Sequence, residues 1–121
     1  MKALLIVAHG SRRQASNQEV MALAQSIFAR QDHQFDIVEA AFLEIADELI
    51  PDGIERCARA GATEITVLPY FLNSGKHVTQ DIPEVINTIK PQYPDIAIQL
   101  TSHIGASSVM ADLVLLSANT K

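Results

Sequence analysis

Apolar and polar positions divide the chain into alternating strand-like and helix-like segments. Residues 2–8 form a nearly continuous apolar run ending Leu4-Leu5-Ile6-Val7-Ala8. Such a run without alternation predicts a strand buried on both faces of a parallel sheet. From Gln14 to Arg30, the residues Val20, Leu23, Ala24 and Ile27 recur at helical spacing. An amphipathic helix is expected there, capped by Ser11 or Ser16. Phe35 to Phe42 reads as a second strand and Leu49 to Ala60 as a second helix, with Pro51 in its first turn and Gly61 closing it. Thr63 to Leu68 is the third strand.

Asp81-Ile82-Pro83-Glu84 predicts the start of a third helix, with Asp81 as its cap, running to Lys90 and stopping before Pro91. Ile96, Ile98 and Leu100 alternate with Ala97 and Gln99, the pattern of a less protected edge strand. The last segment, Ser108 to Ala118, carries Val109, Met110, Leu113, Val114, Leu115 and Leu116. That apolar band is wider than one sheet face requires, so it is also a candidate to cover a partner.

The order β-α-β-α-β-α-β-α with short connections predicts a single α/β domain over residues 1–121. Its fold class is a doubly wound, four-stranded parallel sheet with helices on both faces. With strand order 2-1-3-4, strands 1 and 3 are neighbours and the connection reverses between them. Ligands bind at such a switch point, outside the carboxyl ends of the strands. The loops there are His9-Gly10-Ser11-Arg12-Arg13 and Asn73-Ser74-Gly75-Lys76-His77. The topology thus brings together two histidines that the sequence keeps far apart.

Composition narrows the function. A length of 121 residues fits one domain with a real core. The net charge of -5 and the absence of Trp argue against nucleic acid as a partner. The single cysteine, Cys57, excludes a disulfide framework within the chain and reads as a core residue. No apolar stretch approaches the ~18 residues of a membrane span, and no cleavable signal fits, so no membrane association and a cytoplasmic location are expected. No GxGxxG, P-loop or GxSxG pattern occurs.

What remains is the histidine pair with cations beside it: Arg12 and Arg13 after His9, and Lys76 before His77. Each histidine alone is ordinary surface more often than a ligand. Two of them at the carboxyl ends of neighbouring strands point to a site. Imidazole suits Fe(II), Co(II), Ni(II) and Zn(II). Two imidazoles without thiolates or a carboxylate cluster suggest a metal held transiently and handed on. The cations suggest an acceptor bearing carboxylates or phosphates. Glu44, ending the second strand, reads either as a solvated carboxylate or as a group that takes protons at the same rim. His103 ends the fourth strand, farther from the switch point, and is the weaker candidate. His33 lies in a polar turn and reads as surface.

At these residues the sequence resembles the small class II chelatases, the short CbiX or SirB type of sirohydrochlorin chelatase. The resemblance rests on Leu5-Ile6-Val7-Ala8-His9-Gly10-Ser11-Arg12, Ala41-Phe42-Leu43-Glu44, Leu68-Pro69-Tyr70-Phe71-Leu72 and Gly75-Lys76-His77-Val78-Thr79-Gln80-Asp81-Ile82-Pro83. It implies insertion of Co2+ or Fe2+ into sirohydrochlorin, on the way to cobalamin or siroheme, with His9 and His77 handling the metal and Glu44 assisting. The expected macrocycle contacts are Gly10, Ser11, Arg12, Arg13, Ser74, Gly75 and Lys76. The metal is then a substrate, no cofactor is permanently bound, and a chain of this length is expected to work as a homodimer. One segment departs from the pattern: Asp47-Glu48-Leu49-Ile50-Pro51-Asp52-Gly53 stands where many relatives begin the next helix earlier. Two other readings stay open, a non-catalytic metal or tetrapyrrole carrier and a plain α/β interaction domain.

Overall fold

The computed structural model describes residues 1–119. Strands β1 (Lys2–Ala8), β2 (Ile37–Phe42), β3 (Glu64–Pro69) and β4 (Ala97–Leu100) form one parallel sheet in the order β2-β1-β3-β4. The helices are α1 (Gln14–Ala29), α2 (Ile50–Arg59), α3 (Ile82–Ile89) and α4 (Met110–Asn119). The expected topology holds, and it follows from burial. Central β1 is buried from Ala3 to Ala8, so it needs cover on both faces. Edge strand β4 has only Ile98 buried.

Alternate residues of β1 feed two cores. Ala3, Leu5 and Val7 pack with Ile50, Ile54 and Cys57 of α2 and with Ile82, Ile86 and Ile89 of α3. Leu4 and Ile6 pack on the other face with Val20, Met21, Ala24 and Ile27 of α1. Each fully buried Leu or Ile contributes about 1.5–3 kcal/mol. Helix α2 sits so close to the sheet that a Cβ at Gly53 would lie 2.9 Å from both Ala41 and a Leu5 methyl carbon. Burial pushes the Cys57 thiol up to about 11, consistent with a core role.

Four local expectations need correction. Helix α1 is not capped by serine: Arg13 occupies the cap position, and the Ser11 hydroxyl accepts the Arg13 N–H at 3.0 Å instead. Asp81 is not a cap either. Its backbone is already helical (φ -66°, ψ -47°), because a π-helical turn, His77–Asp81, precedes α3. Pro83 has no N–H to give and crowds the carbonyl four residues back, so the ladder widens there. The Ile82 N–H reaches the His77 carbonyl, five residues back. His33 is not plain surface: its Nδ1 accepts the Phe35 N–H at 3.0 Å, and its Nε2 is shielded from solvent.

The fourth correction concerns α4. Residues Ala111–Asn119 are all exposed, so this helix does not lie on its own sheet. Ala97 and Gln99 of β4, on the α1 side of the sheet, are exposed as well. Helices therefore cover both faces, but α4 is not among those that do so.

Candidate functional site

Backbone bonds carry the pattern of the sheet beyond the strand ends and tie the start of the His9 loop to Leu43 and Glu44. The Leu43 N–H donates to Ala8 O at 2.9 Å, Glu44 N–H to His9 O at 3.0 Å, and Tyr70 N–H to Val7 O at 2.7 Å. Gly10 is indispensable in this arrangement. Its φ is +99°, and a Cβ there would lie 1.8 Å from the Glu44 carbonyl oxygen. Only glycine adopts that conformation cheaply and admits that approach. Beyond Glu44 the chain turns at Ile45, whose φ of 58° is a left-handed conformation that costs a β-branched residue. This strained residue lies two positions before Asp47.

Buried Asn17 of α1 completes the frame. Its amide oxygen accepts the Ser11 N–H at 2.9 Å, and its NH2 donates to Ser11 O at 2.8 Å. The sequence reading missed this residue. The signal was a polar side chain in register with Val20, Met21 and Ala24 on the buried face of α1, and buried polar groups are there to be hydrogen-bonded.

The frame brings His9 and His77 together, with ring centroids 4.5 Å apart and an interplanar angle of 42°. Glu44 joins them: its Oε2 is 3.4 Å from His9 Nε2, a loose contact. His77 Nδ1 lies 2.8 Å from Asp81 Oδ2. Phe71 flanks His77, at 6.4 Å between centroids. Both imidazoles stay accessible, with side chains 40% exposed at His9 and 42% at His77. Metal–imidazole bonds of about 2.1 Å allow nitrogens up to ~4.2 Å apart to share one ion. Among the described residues, no group of three or more His, Cys, Asp or Glu is placed to hold a metal ion. The arrangement is a two-imidazole site, open to solvent.

The remaining candidates lie at varied distances from this centre. Arg12, Ser74, Gly75 and Lys76 are exposed on the two loops. Gly75 has open space around it and needs no special backbone conformation. The Arg13 guanidinium turns along α1, donating to the Ser16 hydroxyl at 3.3 Å and lying 4.0 Å from Glu19. His103 belongs to the loop after β4, one strand beyond the His77 loop. No helix among the described residues is long and apolar enough to cross a membrane.

Fold and site define a doubly wound α/β domain that presents an imidazole pair at its switch point. The family model named CbiX matches residues 3–120, and the chain belongs to that family. A sirohydrochlorin cobaltochelatase of Methanococcus maripaludis is 41% identical over 86 residues, covering 71% of this chain and 58% of the relative. A sirohydrochlorin ferrochelatase of Bacillus subtilis is 36% identical over 104 residues, covering 86% of this chain and 39% of the relative. The crystal structure of the sirohydrochlorin chelatase SirB from Bacillus subtilis subspecies spizizenii in complex with cobalt superposes with a TM-score of 0.84 at 33% identity. It covers 97% of this chain and 49% of that one. The chain thus spans about half the length of these relatives.

Proposed function

We propose that this protein inserts a divalent metal, Co2+ or Fe2+, into sirohydrochlorin, acting through residues 1–121 as one chelatase domain. The observation that carries the reading is the His9–His77 pair, 4.5 Å apart at the switch point with a carboxylate at each ring. Insertion must strip water from the cation and remove two protons from the pyrrole nitrogens. Neutral imidazoles replace water on the cation. Glu44, beside His9 and 54% exposed, accepts a proton and releases it to solvent. Arg12 and Lys76 are exposed on the two loops that carry His9 and His77. They match the carboxylates of the macrocycle despite the net charge of -5. Gly10, Ser11, Arg13, Ser74 and Gly75 complete the macrocycle-binding loops. The metal is substrate, and the chemistry calls for no resident cofactor.

The test is an anaerobic absorbance time course with sirohydrochlorin in excess over protein and Co2+ or Fe2+ added separately. Conversion over many turnovers, faster than the protein-free reaction, is the expected result. Uptake that stops at one macrocycle per chain would favour the carrier reading, and no protein-dependent change would remove both.

The working unit is a homodimer. Val109, Leu113, Val114 and Leu115 are each more than half exposed. A ten-residue helix is not stable in water without packing. A second copy supplies that packing. Sedimentation is expected to give twice the 13.2 kDa chain mass, and Leu113→Asp is expected to give monomers. A monomeric parent protein would refute the assignment.

A further inference from the structure

We propose that Asp81 is a positioning residue that sets which nitrogen of His77 is offered to the metal. The inference rests on the reading that His77 takes the metal. Asp81 lies four residues after His77, across the π-helical turn that replaces the expected loop. Its carboxylate is not spent on capping α3, since no side-chain cap bond forms there. It is 26% exposed, and it reaches His77 Nδ1 at 2.8 Å, a good hydrogen-bond distance. An ionised carboxylate can only accept, so the imidazole Nδ1–H is the donor. That bond fixes the tautomer and leaves Nε2 as the nitrogen with a free lone pair.

His9 packs at 4.5 Å and Phe71 at 6.4 Å between centroids, while Asp81 holds one nitrogen. His9 is held differently: Glu44 approaches its Nε2, at a looser 3.4 Å. The two histidines therefore have different duties. His77 is oriented in advance to present Nε2, and His9 has the Glu44 carboxylate beside its Nε2. The π turn makes this possible. It extends helical backbone back to His77 and so places residues 77 and 81 on one face.

The test reads the ring itself before any metal is added. Long-range 1H–15N correlation on labelled apo protein, at a pH where imidazoles are neutral, is expected to show His77 as the Nδ1–H tautomer. Asp81→Ala is expected to move it toward Nε2–H and to weaken Co2+ binding about 10–100-fold. Asp81→Asn keeps an acceptor oxygen and is expected to retain the Nδ1–H tautomer and most of the affinity. A purely structural role would change neither the tautomer nor its rescue by asparagine. An Nε2–H tautomer in the parent protein, or Asp81→Ala with tautomer or affinity unchanged, would overturn the proposal. Co2+ affinity that survives His77→Ala would instead overturn the metal role of His77 and remove the basis of the proposal, whatever the tautomer.

Discussion

His77→Ala is expected to slow metal insertion by at least about 100-fold, the scale of losing one positioned acid–base or ligating group, while leaving the fold intact. The two halves of this expectation have separate causes. His77 is 42% exposed and sits on the rim, outside both apolar cores. Exposed positions away from cavities and caps usually change stability by only ~0.5 kcal/mol. The site, by contrast, has just two imidazoles. On the proposed reading, removing one halves the nitrogen ligands, and it leaves the Asp81 carboxylate without its partner. The check is the insertion rate beside a thermal melt of the same variant. Unchanged turnover with a normal melt would show that His77 does not handle the metal. A collapsed melt would show that the residue is structural.

Gly10→Ala is expected to fail for the opposite reason. Nothing reactive is removed, yet the added methyl would meet the Glu44 carbonyl oxygen at 1.8 Å, and the backbone φ of +99° is one that alanine avoids. Relief requires the His9 loop and the Glu44 segment to move apart. That breaks the Glu44 N–H to His9 O bond of 3.0 Å and separates Glu44 from His9. The expected cost is about 2–4 kcal/mol, and activity is expected to fall with it. Gly75→Ala is the control, since nothing lies within 4 Å of a Cβ there. A thermal melt separates the two: a Gly10→Ala protein as stable as the Gly75→Ala protein would contradict this account of the loop.

The sheet was legible because burial on both faces leaves an unambiguous mark. Leu4 to Ala8 without a polar interruption is a central strand, and the alternation at Ile96–Leu100 is an edge. The order 2-1-3-4 then placed His9 beside His77, and the rings are indeed close. Three features were harder to read. Asp81-Ile82-Pro83-Glu84 has the residues of a helix start, but the helix begins earlier, in a π turn that no periodicity announces. With the start misplaced, the four-residue spacing from His77 to Asp81 lost its meaning. Asn17 was missed, because its value lies in bonds to the backbone of Ser11. The packing of α4 was not legible either: its apolar residues announce burial without saying against what, and its own sheet does not supply it.

The most direct measurement of the central claim is a cobalt anomalous difference map from crystals of the protein soaked in Co2+ without macrocycle. The account predicts one dominant peak between the rings of His9 and His77, within about 2.2 Å of a nitrogen of each. A dominant peak elsewhere, or a histidine pair left empty at a concentration that supports insertion, would contradict it.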